Sequence, residues 1–597
     1  MTHDKKKKQD LGIFYTREDI AEFVFDIILL WKKREDREQK RWESHKPKHY
    51  PSVIDPTCGE GIFLKKAVEK GFTMPDWIFG LDIDEAVVKK WPDISLLEAF
   101  RRDKEKLNAH FFHQNGLNRI QWNQHKKQYY GKLKKQDIEN EQFNLVVGNP
   151  PYGGVGLETE EFNDDLIVQL ENYNILPAEI KKEIVFKSKQ DTLNFFDAGK
   201  SKTINQKTKD RLKSFPIEVL FIDRFIQLAK PGGWVAIIIP DGILSNSNLH
   251  YVRQYIADNA KIEAIVSLPR DAFKHVGTSA KTSILFLKKQ KTDNLNYPVF
   301  LASLERLENG YLTEILSQYK EFYMKQTLSK DKKVYFNDFV MVRVDKTMKE
   351  MMEEKRLDAE YWDINFNYLL LIFNKWNAKT LEEIEGEDCI ISGDHVRPSR
   401  GESKGFKLNT EIEYYETKNF LFSGYDYSEI KECSKNAYER LKYTAVKQHD
   451  ILISCAGVGG VGKGRTCLIS HEPKTKSCTG DVFIIRLKKL NPFLVYVLLN
   501  SNIGKDQILR NKSGVGTVNI NSEQALSLKI PMMPNKVQSH IEAEYKKMAV
   551  FHDKAMEAKA KGDEAGYKKN IETAEAMLKD LIARTEAVIR GEREDVG

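Results

Sequence analysis

No apolar run in this 597-residue sequence approaches the roughly 20 residues needed to cross a bilayer, so nothing in it reads as a membrane span. The lysine-rich start, Met1 to Asp10, has no apolar stretch behind it, which excludes a secretory signal and predicts a cytoplasmic address. Cysteine is scarce. Cys58, Cys389, Cys433, Cys455, Cys467 and Cys478 stand without CxxC or Cys/His spacing, so neither a disulfide framework nor a zinc site is expected, and no metal is assigned. An excess of one charge is lacking too: 94 basic against 87 acidic residues give a formal +7, which permits a polyanionic partner without demanding one. No convincing nuclease constellation of the Pro-Asp…Glu-x-Lys kind is present, and the segment before Leu11 is too short to house one, so any cleavage is expected from another chain.

What the sequence does contain is a change of texture along its length. From about Tyr50 to Gln290, short β-branched runs (Ser52–Asp55, Trp77–Asp82, Asn144–Gly148, Trp234–Ile239, Thr282–Leu287) alternate with helical patterns. Bounded by Gly, Pro and Asp, they predict the buried strands of a doubly wound, Rossmann-like α/β sheet that is mostly parallel. Its ligand should lie beyond the C-terminal strand ends, where Asp55, Asp82 and Asn149 fall. The expected organisation is an N-terminal helical segment over 1–48, a catalytic domain over 49–310 with a polar, lysine-bearing insertion at 153–215, and a helical bridge over 311–378. A second, α+β domain follows over 379–534, with a helical, coiled-coil-like tail over 535–597. The insertion reads as a solvated loop with some helix, or as a phosphate contact. In the tail, Ile571, Ala574, Leu578, Leu581 and Val588 recur at three- and four-residue spacing around Thr585, which predicts a helical hairpin or a helix pair seeking a partner.

The chemistry concentrates in Gly148-Asn149-Pro150-Pro151-Tyr152, directly after the strand Leu145-Val146-Val147. An amino group on an aromatic base is a poor nucleophile because its lone pair is delocalised into the ring. Two acceptors that take both amino protons draw the nitrogen toward a tetrahedral shape, with the lone pair aimed at a methyl donor. The Asn149 side-chain oxygen and the Pro150 carbonyl can be those acceptors, and the paired prolines stiffen the loop in advance. Tyr152 offers an aromatic face to an extruded base, where stacking of about 1–3 kcal/mol is comparable with the few kcal/mol that flipping costs. Upstream, Val53-Ile54-Asp55-Pro56-Thr57-Cys58-Gly59-Glu60-Gly61 leaves the first strand and opens a helix. Gly59 and Gly61 let the backbone approach a ligand, while Asp55, with Thr57 beside it, offers a carboxylate to the cationic end of S-adenosylmethionine. The spacing is not that of a dinucleotide fingerprint. Asp82, next to Ile83, is placed for ribose hydroxyls, and a helix-capping role suits Asp84.

These residues resemble the γ-class amino-methyltransferases, most closely the modification subunits of type I restriction systems and related single-chain enzymes, over most of residues 10–290. The resemblance implies a site-specific, S-adenosylmethionine-dependent DNA methyltransferase acting on N6 of adenine in a restriction-modification or related defence system, with double-stranded DNA as its partner. Gly12-Ile13-Phe14-Tyr15-Thr16 resembles the family's segment over the cofactor's methionine end, with Thr16 as the hydroxyl contact and Arg17 standing where proline is expected. Asn115, with Gly116, stands where the family places an Asp that accepts from the cofactor's adenine amine. Phe273 is implied as a second wall of the base pocket. Arg356–Trp362, Asp450–Ser454 and Ile530–Pro534 resemble landmarks of a single specificity-subunit module, a target recognition domain in which Lys463, Arg465 and Lys512 would touch phosphates. The Gly457–Gly464 run imitates a nucleotide phosphate loop but lacks its hydroxyl residue. One module per chain implies an asymmetric target, a homodimer, or a separate restriction or specificity subunit joined through the C-terminal helices. Methylation of a protein glutamine or of RNA adenine poses the same lone-pair problem and stays open, as does a non-catalytic DNA-binding subunit.

Overall fold

The computed structural model describes residues 16–40, 50–91, 107, 110–118, 141–152, 173–179, 181, 215–274, 280–308, 310–337, 339–392, 412–428, 430–433, 438–439, 441–454, 466–479, 482–511 and 520–597. The chain divides into two compact units, Met1–Glu360 and Tyr361–Gly597. Among the described residues no helix is long and apolar enough to cross a membrane.

The first unit is built on a sheet of ten strands: β1 Val53–Asp55, β2 Ile78–Asp82, β3 Phe111–His113, β4 Phe143–Gly148, β5 Ala229–Pro240, β6 Lys261–Ser267, β7 Thr282–Lys288, β8 Phe300–Leu304, β9 Val334–Phe336 and β10 Val340–Arg343. They lie in the order β3-β2-β1-β4-β5-β7-β6-β8-β10-β9. From β3 to β5 every pairing is parallel. The strand order reverses between β1 and β4, so a crevice opens beyond their C-terminal ends, the usual ligand position in such sheets. This is the expected α/β, doubly wound architecture. The far half departs from the expectation of a mostly parallel sheet: β7 runs antiparallel between β5 and β6, and β10 runs antiparallel between β8 and β9.

Helices cover both faces. Helix α1 (Glu18–Lys40) presents Ile20, Phe23, Val24, Ile27, Ile28 and Trp31 at helical spacing, and all are buried. They join one core with Leu145, Val147, Ala236, Ile238, Val266 and Phe286, the alternate residues of one sheet face. Trp31 stacks on Trp234 with centroids 3.9 Å apart and donates its indole N–H to the Tyr319 hydroxyl at 2.8 Å. Helix α2 (Ile62–Glu69) follows β1, α3 (Ile217–Leu228) leads into β5, and α4 (His250–Asn259) precedes β6.

One boundary moves and one segment differs in character. The sheet continues past residue 310, because β9 and β10 lie inside the stretch read as a helical bridge; only α5 (Tyr311–Lys325) and shorter helices there fit that reading. These strands are three and four residues long, too short to print a two-residue period. The insertion at 153–215 also differs from a solvated loop in its described part, since Tyr173, Ile175 and Leu176 are buried. Their apolar surface is docked by a hydrogen bond from the Ile175 N–H to Asp223 on α3, at 3.0 Å.

The second unit is α+β. A four-stranded sheet orders Ile390–Ser392, Val482–Ile485, Ile451–Ser454 and Thr466–Leu468, and a three-stranded one orders Lys431–Glu432, Ile412–Tyr415 and Lys476–Thr479. Arg486 binds Asp450 through both carboxylate oxygens, at 2.9 and 2.6 Å, and so ties two strand ends together. The tail forms α6 (Asn535–Ala560) and α7 (Glu564–Arg590), broken at Gly562, whose φ is +74°. Of the two tail readings, the hairpin holds. Ile571, Ala574, Leu578, Leu581, Thr585 and Val588 are all buried, and Ala574, Leu578, Leu581 and Val588 join one core with Val537, Ile541, Tyr545 and Phe493. The stripe that could have sought a partner is therefore covered by its own unit.

Candidate active site

The turn after β1 is held shut by hydrogen bonds that start from two acidic residues. Asp55 Oδ1 accepts from the Thr57 N–H at 2.9 Å and the Thr57 hydroxyl at 3.3 Å. Asp55 is 1% exposed, and burial pushes its carboxyl up to about 8, with the charge of Asp82 adding to the effect. Asp82 Oδ2 accepts the Gly59 N–H at 2.7 Å and Oδ1 the Asp84 N–H at 2.8 Å. Gly59 and Gly61 take the positive φ values of 52° and 79° that this turn needs. Trp91 closes the far side by donating its indole N–H to the Gly59 carbonyl at 3.0 Å. Asp84 caps the short helix Glu85–Val88 by accepting the Ala86 N–H, as expected from its position. Asp82 differs from expectation in one respect: both of its oxygens already hold a backbone amide. A ribose would have to share them, using the remaining lone pairs.

The loop after β3 lies against this turn. Gln114 N–H donates to the Asp82 carbonyl at 3.0 Å, and His113 Nε2 pairs with the Ile83 carbonyl at 3.2 Å. Asn115 Oδ1 accepts the Leu117 N–H at 2.9 Å, so its side chain folds over its own turn. Gly116 is obligatory: a Cβ there would stand 1.9 Å from the Pro56 carbonyl oxygen, inside the β1 turn. Behind the loop, Arg224 donates Nε to the Gly116 carbonyl at 3.1 Å and Nη2 to the Asn118 carbonyl at 2.8 Å. The Tyr173 hydroxyl donates to the Leu117 carbonyl at 2.6 Å.

At the end of β4 the third element arrives. A Cβ on Gly148 would lie 2.5 Å from Asp55 Oδ1, so the strand end abuts that carboxyl directly. Asn149 Nδ2 then donates to the Thr16 hydroxyl at 3.2 Å, which joins the N-terminal segment to the Asn-Pro-Pro-Tyr turn across 133 positions of sequence. With the N–H given to Thr16, the amide is oriented and its oxygen is the acceptor end. Asp55, Thr57, Gly59, Gly61, Asp82, Ile83, Asn115, Gly116, Asn149 and Thr16 are thus linked by direct contacts or by chain adjacency.

The aromatic residues assigned to a base pocket behave differently. Tyr152 is 1% exposed and Phe273 fully buried, the latter within the main core, so neither ring presents an open face. Large apolar rings are driven under cover; a base stacking on either must displace protein that now covers it. Residues 12–15, the Gly457–Gly464 run, Lys463, Arg465 and Lys512 lie outside the described residues. Sequence reading missed Trp91, Tyr173 and Arg224. Only the last left a signal, as part of the charged pair Asp223-Arg224 inside the otherwise apolar run of α3.

A family model described as Eco57I restriction-modification methylase matches residues 76–273. Among curated proteins, the type II restriction enzyme and methyltransferase RM.Eco57I of Escherichia coli is 26% identical over 162 residues, 27% of this chain and 12% of that protein. The methylase subunit of the type I restriction enzyme EcoEI, also of Escherichia coli, is 22% identical over 298 residues, 48% of this chain and 44% of that protein. The chain thus spans less than half the length of either relative. Among solved structures, the type IIL restriction-modification enzyme MmeI in complex with DNA aligns over 98% of this chain and 77% of that one, at 11% identity and a TM-score of 0.44. The stretch that holds Asp82, Asn115, the Asn149–Tyr152 turn and Phe273 is therefore similar to the Eco57I restriction-modification methylases, and about half of the chain is similar to the methylase subunit of a type I restriction enzyme.

Proposed function

We propose that this chain is an adenine-specific DNA methyltransferase of a restriction-modification system, which transfers the methyl group of S-adenosylmethionine to N6 of an adenine turned out of the duplex. The observation that carries the reading is the Asn149–Tyr152 turn leaving β4 at the point where strand order reverses, hard against Asp55 and bonded to Thr16. The residues fit the cofactor. Gly59 and Gly61 supply the left-handed backbone of the β1 turn, Gly116 packs against that turn without a side chain, Asp82 lies at the end of β2, and the covered acid Asp55 favours a cationic neighbour.

S-Adenosylmethionine supplies an electrophilic methyl carbon. The chain's own residues make the target amine able to meet it. Asn149, oriented by Thr16, accepts a hydrogen bond from one amino N–H through its side-chain oxygen, and the Pro150 carbonyl accepts one from the other. The prolines hold both acceptors in place before the base arrives. Asp55 and Asp82 seat the cofactor at the strand ends, and the Asn115–Gly116 turn receives its adenine. Tyr152 and Phe273 would meet the base only after the protein that now covers them is displaced. In this reading the second unit recognises the DNA target, through residues 379–534 and the basic positions Lys463, Arg465 and Lys512. The helical pair of 535–597 serves as a spacer.

The test is transfer of a labelled methyl group from S-adenosylmethionine to duplex DNA, RNA or protein, followed by identification of the product. Label should enter duplex DNA as N6-methyladenine, and Asn149→Ala should lower the rate by about 100- to 1000-fold while cofactor binding persists. Label in RNA or protein alone, or full activity in Asn149→Ala, would overturn the proposal.

A further inference from the structure

Helix α3 reads Ile-Glu-Val-Leu-Phe-Ile-Asp-Arg-Phe-Ile-Gln-Leu, and its residues 219–226 are buried without exception. Two adjacent charges in such a helix are costly unless each is satisfied by specific partners. Asp223 accepts from the Ile175 N–H at 3.0 Å, from Gln227 at 2.8 Å and from the Tyr255 hydroxyl at 2.5 Å. It therefore docks the 173–176 segment, and with it Tyr173. Arg224 reaches the other way and spans the carbonyls of Gly116 and Asn118, while Tyr173 takes the carbonyl between them. Three successive carbonyls of the loop after β3 are gripped from the α3 side by two side chains that are themselves 3% and 2% exposed.

We infer that Arg224 and Tyr173 are positioning residues that tune recognition of the cofactor's adenine ring, by holding the 115–118 turn in the one shape that presents Asn115 to it. This rests on the cofactor reading given above. The turn offers few other acceptors once these carbonyls are occupied. Asn115 Oδ1 spends one lone pair on the Leu117 N–H, and that same bond fixes its direction. Arg224 suits the task because its planar fork bonds two carbonyls at a fixed separation, which the point charge of a lysine does not. Lengthening of any one of the three bonds would let Gly116 pull back from Pro56 and rotate the Asn115 amide. Neither Arg224 nor Tyr173 has to touch the cofactor.

The measurement is a calorimetric titration of the full chain with S-adenosylhomocysteine and with S-inosylhomocysteine, whose 6-oxo group replaces the 6-amine. Wild-type protein should favour the adenosyl form. Tyr173→Phe, which removes a single hydroxyl and keeps the ring, should weaken that form by about two- to tenfold, the equilibrium worth of one neutral hydrogen bond. It should also shrink the adenosyl-to-inosyl preference, and Arg224→Lys should shrink it further. In methyl transfer, KM for the cofactor should rise while KM for DNA stays constant. Equal weakening of both ligands, or unchanged affinities in both variants, would reduce the pair to ordinary scaffold and overturn the inference. If wild-type protein binds neither ligand, the cofactor reading itself fails, an outcome distinct from a wild type that binds with no difference in the variants.

Discussion

The two halves of the ten-stranded sheet treat their polar edge residues in opposite ways. In the parallel half, the ends of β1, β2, β3 and β4 point the same way, so Asp55, Asp82, Asn115 and Asn149 collect at one edge although about 30 positions separate each from the next. Their bonds run mostly to backbone amides and to one another's loops, which shapes a receptacle at the strand ends. In the antiparallel half, β7 starts where β5 and β6 end, and charged and polar side chains there pair with one another, although the Ser267 and Thr282 hydroxyls are buried without a hydrogen-bond partner. The Ser283 hydroxyl bonds Asp241 at 2.6 Å, and Lys281 pairs with Glu360 at 2.8 Å. Arg356 engages Asp358 through two bonds of 2.7 and 2.8 Å. The side chains named at the parallel ends bond mostly to loop backbone, whereas those named at the antiparallel ends bond to one another.

Substitutions on the two sides should therefore separate binding from stability. The largest effect beyond Asn149 is expected at Gly116→Ala, whose methyl group would force the β1 and β3 loops apart. A strain of about 1–3 kcal/mol should appear mainly as lost affinity for S-adenosylhomocysteine in a titration; an unchanged affinity would mean that the two loops do not act as one receptacle. Next comes proton linkage. With its carboxyl pushed up to about 8, Asp55 is mostly protonated at pH 7, and a sulfonium nearby favours the ionised form. Binding of S-adenosylmethionine should thus expel a proton and tighten by up to about tenfold per pH unit as pH rises toward 8. Titration in two buffers of different ionisation enthalpy counts that proton, and Asp55→Asn should abolish the count. A buffer-independent enthalpy in the wild type would contradict the sign argued here. The smallest effect on binding is expected at Ser283→Ala, which should cost about 1 kcal/mol of stability in a denaturant melt and leave cofactor affinity unaltered. Should that affinity fall as well, the antiparallel edge would share in the site and the contrast would dissolve.

Much of this arrangement was legible from residue order, and the reasons it was not wholly so are physical. Strands β1, β2, β4, β5 and β7 carry β-branched runs flanked by Gly, Pro or Asp, a signal local to each. Strand β6, Lys-Ile-Glu-Ala-Ile-Val-Ser, escaped because it follows α4 with only Ala260 between them. Strands β9 and β10 are shorter than the window in which a period can be recognised. Asp55, Asp82 and Asn149 stand at strand ends that announce themselves in sequence, whereas Asn115 is assigned only through the resemblance to the γ-class enzymes. Arg224 and Tyr173 bond carbonyls 108 and 56 positions away, and no local pattern encodes such a distance. The covering of Tyr152 and Phe273 was equally hidden, since a ring in a loop looks the same in sequence whether its face is open or closed.

The bond from Trp91 to the Gly59 carbonyl gives the glycine turn a chromophore of its own. Any molecule that shifts the turn changes the polarity around that indole, and so the colour of its emission. The stacked Trp31 and Trp234, enclosed in the core, supply a steady background in the same spectrum. Trp91 is thus the tryptophan bonded to the glycine turn, and Trp91→Phe should remove any emission change that S-adenosylhomocysteine produces there.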